Sequence, residues 1–224
     1  MTDDIIVFDR RAVRHHRDRA AAKIDAHDFL FREVAIRLAD RLADINRRFQ
    51  LAVDLGGHGG ILRQTDGFDD RVDTLIETDL SPALAARSGG PSLAADEEFL
   101  PFANARLDLV ISNLSLHWVN DLPGALVQIR QALKPDGLFL GAILGGDTLI
   151  ELRHALIEAE MAEAGGASPR LRAALPELRH KHQDALEFLC GVRPRPALRQ
   201  GARVSARLLS LHAVDKRYAS VTAL

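Results

Sequence analysis

Near-continuous apolar runs, rather than alternating ones, mark the strands of this 224-residue chain, and they take turns with helical patterns through residue 169. The runs lie in LAVDL (51–55), RVDTLIETD (71–79), LDLVIS (107–112) and GLFLGAIL (137–144). A strand with apolar residues on both sides must be covered on both faces, and a parallel sheet between helices is the usual solution. Residues 27–45 place Leu30, Val34, Leu38, Leu42 and Ile45 on one helical stripe. Further helices are expected over 122–133, stopped by LysProAspGly, and over 145–166, with Asp147 or Thr148 as cap. Ser81 and Pro82 have the cap and first-turn chemistry of a helix start. A short strand is expected at 92–95. The expected fold is a doubly wound, mostly parallel α/β sheet of Rossmann-like type.

In such a sheet the carboxyl ends of the strands share one rim, and the crevice beyond them takes the ligand. The polar features fall there: 54–60, Asp79, 96–98, 113–118 and 145–147. Gly56, Gly57, Gly59 and Gly60 clear space for a close backbone approach at the first turn. The turn lacks the GK[ST] ending of a phosphate loop and does not match GxGxxG, so a pyrophosphate ligand is disfavoured. Asp79 ends the second strand, where a carboxylate can accept both ribose hydroxyls of a nucleoside. Glu77 shares its face and is an alternative. Asp96, followed by Phe99 and Leu100, suits an adenine edge and face, or else caps a helix. Asn113, Ser115, His117 and Trp118 follow the fourth strand. His117 can be a general base, an orienting donor or a packing residue, and Asn113 and His117 are the catalytic candidates.

Other classes are narrowed by composition. One cysteine, Cys190, excludes an internal disulfide and a Cys-based zinc cluster. No eighteen-residue apolar run exists, so no transmembrane segment is expected. Asp3 and Asp4 do not suit a secretory signal, and Asp9 and Asp18 among the arginines of 10–23 do not suit a mitochondrial presequence; the expected compartment is cytoplasmic. His16 and Asp18 have the spacing of two metal ligands, but basic neighbours oppose a cation, and this segment is expected to be a solvated helical face with no metal. Charge divides sharply. Residues 1–169 hold 18 Lys and Arg against 27 Asp and Glu, whereas 170–224 hold 11 against 4. A nucleic-acid-binding tail has only that charge in its favour, with Phe188 and Tyr218 as its aromatics, and no nucleic-acid partner is expected.

Taken together, LAVDLGGHGG, ETDLS (77–81), ADEEFLPF (95–102), LDLVISNLSLHWVNDLPGAL (107–126) and LKPDGLFLGAILGGDTLIELR (133–153) resemble the class I S-adenosylmethionine-dependent methyltransferases. Within that superfamily the likeness is to the group containing malonyl-acyl carrier protein methyltransferase. VFDRRAVRHHRDRAA, LSLHWVNDLPGAL and GGDTLIELR bring it closer to the mitochondrial complex I assembly factors, whose activity is arginine hydroxylation. The resemblance covers 5–169 and implies S-adenosyl-L-methionine as cofactor. It implies that Asp54 faces the cofactor's amino-acid portion, that Gly56 and Gly60 are the essential glycines, and that Asp79 binds ribose. It also implies that Asp96 and Glu97 flank adenine, and that Asn113, Leu114 and His117 line the floor near the sulfur. A protein substrate, such as a complex I subunit, is the implied partner; a carboxyl methyltransferase of biotin synthesis and a non-catalytic scaffold are the alternatives. Oligomeric state is left open.

Two departures stand out. His58 replaces the middle glycine of the family turn and is expected to narrow the approach. From Arg170 the likeness stops, with a composition that suits a frame-shifted or replaced end. The expected division is a basic segment (1–26), a methyltransferase-like domain (27–169) and an atypical tail (170–224). The tail shows only scattered β-branched residues, with Pro194 and Pro196 among them. It is expected to supply a helix over 174–189 and no strands, which leaves the fifth strand as an exposed edge.

Overall fold

The computed structural model describes residues 6–144, 150–164, 205–212 and 216–222. Two compact units result, Met1–Ile143 with Leu208–Ala219, and Leu144–Arg207 with Ser220–Leu224. The first holds the crevice. Its central strand is β1 (Phe49–Leu55), which pairs in parallel with β2 (Val72–Asp79) on one side and β4 (Leu107–Asn113) on the other. Outside these, β3 (Ser92–Ala94) joins β2 and β5 (Leu133–Leu144) joins β4, both parallel. The continuous apolar runs have the reason expected: every residue of β4 is buried.

Helices flank these strands. In α1 (Arg10–Ala20), Asp9 accepts from the backbone N–H of Arg11 and Ala12; a 3-10 turn (Ala21–Ala26) then leads to α2 (Phe29–Ala43). Val34, Leu38 and Leu42 of the predicted stripe are buried in α2. Ser81 Oγ accepts from Leu84 N at 3.1 Å, and Pro82 opens the short α3 (Pro82–Ala85), as the cap chemistry predicts. Asp121 caps α4 (Leu122–Ala132) in the same way. The stretch after β1, 58–71, is a succession of turns rather than a regular helix. In the second unit, α5 (Ile150–Ala164) is the expected helix, while its expected cap at 147–148 and the expected helix at 174–189 lie outside the described residues.

The expectation of a strandless tail is corrected. Ser205–His212 and Lys216–Thr222 form β6 and β7, and the seven-stranded sheet runs β3-β2-β1-β4-β5-β6-β7. β5 is therefore an interior strand, not an edge. A search for β-branched clusters overlooks SARLLSLH, because leucine carries little strand signal of its own. Yet Leu208, Leu209 and Leu211 make an apolar run of strand length, and Tyr218, Val221 and Thr222 are ordinary strand residues.

Core truncation should be costly where β4 is sealed. Ile111 is fully buried, so Ile111→Ala is expected to lose about 2–5 kcal/mol in urea unfolding, while Phe29→Ala, at a side chain 78% exposed, should change stability by about 0.5 kcal/mol or less. Equal losses at the two positions would show that the core has been wrongly placed.

Candidate active site

The crevice begins where β1 gives way to glycine. Gly56, Gly59 and Gly60 have φ of 77°, 83° and 95°. A Cβ on Gly56 would stand 2.1 Å from Ser115 Oγ, so no side chain fits between the two loops. The N–H groups of Gly56 and Gly57 both donate to the Thr78 carbonyl, at 2.9 and 2.8 Å. They therefore form no nest for a phosphate, in keeping with the sequence pattern.

Strand ends bring four buried carboxylates to this turn: Asp54, Glu77, Asp79 and Glu97. Asp54 is wholly enclosed, and neither of its oxygens has a hydrogen-bond partner. Burial pushes its carboxyl well above the ordinary range, and the carboxylates of Glu77 and Asp79 push it further, which favours the protonated form. Glu77 is held by Arg63 Nε at 2.9 Å and by the Ser88 hydroxyl, while its other oxygen has no hydrogen-bond partner. Asp79 accepts from Ser81 N at 2.8 Å, His58 N at 3.3 Å and Arg17 Nη1 at 3.3 Å.

Glu97 is the most heavily paired. Arg17 Nη1 lies 2.9 Å from it, Arg10 also donates to it, and Ser115 Oγ donates at 2.5 Å. Burial opposes its ionisation, but the two guanidinium groups and the hydroxyl overcome that and hold it down at about 2. Asp96 takes Arg10 at 2.6 Å and caps the turn at Glu98 N at 2.9 Å; the predicted alternative of a cap thus coexists with an ion pair, though no helix follows. Asn113 donates from Nδ2 to the Phe31 carbonyl at 2.9 Å. Leu114 is buried at φ 52°, and its N–H donates to Ala142 O. His117 lies half-buried in the 3-10 turn Leu116–Trp118, with its ring 5.3 Å from that of Trp118.

His58 does not simply stand in the approach. Its ring is buried and stacked on Phe31 of α2, with centroids 3.9 Å apart, and Nε2 lies 2.7 Å from the Asn113 carbonyl. A carbonyl only accepts, so Nε2 carries the hydrogen. Burial, with the nearby Arg17 charge, lowers the ring's pKa against the pull of Asp79 and keeps it neutral.

The basic segment is a second correction. It was expected to be a solvated face, but Arg10 and Arg17 are drawn into the crevice, with side chains only 14% and 12% exposed. Arg17 also donates to Ser115 Oγ at 3.2 Å, and Arg10 to the Trp118 carbonyl at 3.0 Å. The signal was present: the two arginines are seven residues apart, hence on one helical face. His16 contacts Arg19, and among the described residues no group of three or more His, Cys, Asp or Glu is arranged for a metal.

Glu97 gives a pH test with a definite sign. Its carboxyl is depressed from 4.5 to about 2, so its stabilisation is complete above about 4.5 and is lost as pH falls toward about 2. Thermal unfolding from pH 6 downward should show that decline, and Glu97→Gln should be less stable at pH 6 and lack this part of the decline. Parallel curves for the two proteins would remove the ion-pair cluster as its cause.

Comparison with known proteins places this geometry. A methyltransferase-domain family matches residues 53–141. The mitochondrial arginine-hydroxylase NDUFAF5 of Danio rerio is 46% identical over 173 residues, covering 74% of this chain and 53% of that protein. A malonyl-[acyl-carrier protein] O-methyltransferase of Methylovorus is 37% identical over 169 residues, covering 69% and 57%. The chain thus spans about half the length of the curated relatives it matches. A Haloferax volcanii chain, from a complex of a methyltransferase with a methyltransferase activator, superposes with a TM-score of 0.53 at 20% identity, covering 74% of this chain and 75% of that one; it shows the fold. The cytoplasmic expectation is corrected by these comparisons, because the arginine-hydroxylase relatives are mitochondrial proteins. Acidic residues among the first twenty do not locate the protein. Among the described residues no helix is long and apolar enough to cross a membrane. With its parallel sheet, its glycine turn ringed by strand-end acids, and these relatives, the chain has the class I S-adenosylmethionine-dependent methyltransferase fold and is related to the arginine-hydroxylase group and, more distantly, to the malonyl-acyl carrier protein O-methyltransferases.

Proposed function

We propose that the protein binds S-adenosylmethionine in this crevice and modifies an arginine of a protein substrate during assembly of respiratory complex I. The observation that carries the cofactor half is the placement of Asp79, which ends β2 beside the glycine turn with its carboxylate buried. In this reading Asp79 accepts the ribose hydroxyls, and Asp96 and Glu97 meet the adenine side. Gly56 and Gly60 keep the floor free of side chains. Asp54, buried and without a hydrogen-bond partner, is turned toward the amino-acid portion through backbone or water. Asn113 and Leu114 form the wall at the end of β4, and His117 orients the reacting group at the rim. The cofactor, when bound, supplies a methyl sulfonium that is already electrophilic. The chain's own task is then positioning and exclusion of water.

The substrate half rests on the 46% identity to the arginine-hydroxylase relative. The alternative, a carboxyl methyltransferase on an acyl carrier protein, draws on the 37% identity to the second group.

Two measurements test these halves separately. Calorimetric titration with S-adenosylmethionine should show binding, and Asp79→Ala should weaken it by about 1.5–3 kcal/mol, the scale of a lost hydrogen bond to a charged group. Unchanged affinity in a folded Asp79→Ala protein removes Asp79 from the site. Deleting the gene in its host should lower the amount of assembled complex I. Normal complex I together with a new requirement for biotin decides for the alternative.

A further inference from the structure

The carboxylate assigned to the ribose has too few free positions to accept it while α1 is in place. A carboxylate offers about four lone-pair sites. On Asp79 the backbone N–H groups of Ser81 and His58 and the Arg17 guanidinium take three of them. A ribose diol requires two. The two backbone donors are fixed by the ends of β1 and β2, so Arg17 is the partner that can leave. The same guanidinium also holds Glu97 and the Ser115 hydroxyl, joining three loops of the rim.

We propose that α1 is a gate over the crevice with Arg17 as its latch, so that a nucleoside enters only as Arg17 gives up Asp79. This rests on the reading of Asp79 as the ribose acid. The way α1 is attached lets it move without disturbing the sheet core. It contributes no buried residue to the core. Its anchors are polar: Arg10 on Asp96 and Glu97, Asp18 accepting from Ser81 Oγ at 2.5 Å, and, beyond its C-terminus, Asp25 on Arg87 at 2.6 Å. Contacts of this kind exchange for water or for a ligand's polar groups. Before α1, Asn120 pins the backbone of Val7 and Phe8 at 2.9 and 2.8 Å, so the helix can swing from a fixed point rather than detach.

A closed gate lowers apparent affinity by the fraction of molecules that are open. If about a tenth are open, releasing the latch tightens binding about tenfold. The experiment is calorimetric titration of S-adenosylhomocysteine into the full chain, into Arg17→Ala and into Asp18→Ala. The last loosens α1 from Ser81 while leaving Arg17 and every crevice carboxylate in place. Tighter binding is expected in both variants, about tenfold for Arg17→Ala and less for Asp18→Ala. Nucleoside should also speed tryptic cleavage within 10–19 of the unmodified chain. Unchanged or weaker affinity in both variants, or slower cleavage, overturns the latch. Failure of all three folded proteins to bind overturns the nucleoside reading itself, and the latch with it.

Discussion

Four carboxylates sealed from water at the ends of a hydrophobic sheet are the condition that the rest of the crevice must satisfy. An ionised carboxylate in such surroundings costs several kcal/mol unless it is paired or loses its charge. Each solution is used once or more. Glu97 keeps its charge because Arg10 and Arg17 stand against it, and Glu77 is paired with Arg63. Asp54 has no such partner and moves toward its neutral form. The arginines are therefore not decoration on a solvated helix. They are the countercharge that allows the acids to be buried, and they bring α1 down onto the rim.

That dependence also explains the order in which features were legible. The sheet could be read from residue types alone, because strands covered on both faces write continuous apolar runs. The acids could be read because each lies in or just after the carboxyl end of a strand: Asp54 in β1, Glu77 and Asp79 in β2, and Asp96 and Glu97 shortly after β3. The partners of those acids could not. Arg17 meets Asp79 across 62 residues and Glu97 across 80, and Arg10 meets Asp96 across 86. Local pattern shows only that α1 is basic and helical. Whether such a face meets water or a buried acid is decided by tertiary contact. The tail failed for a different reason: Leu208, Leu209 and Leu211 are equally at home in a helix, and their strand state depends on a neighbour in the sheet.

His58 shows how one departure from a family pattern is accommodated. A non-glycine residue at φ 49° costs about 1–2 kcal/mol in left-handed geometry. Against this stand a buried hydrogen bond to the Asn113 carbonyl, worth about 1 kcal/mol, and a stacked contact with Phe31, worth about 0.5–1.5 kcal/mol. The terms offset one another, so the turn keeps its shape although its middle glycine is gone. The geometry has a consequence for coupling. Asn113 bonds the Phe31 carbonyl through Nδ2 while its own carbonyl receives His58, and the His58 ring lies on the Phe31 ring. The glycine turn, the end of β4 and the start of α2 thus close a ring of contacts that a glycine at 58 could not make. His58 N, in turn, is a donor to Asp79. The residue that breaks the glycine pattern is thereby tied into the wall of the crevice, and its N–H holds one carboxylate oxygen of Asp79 while Arg17 holds the other.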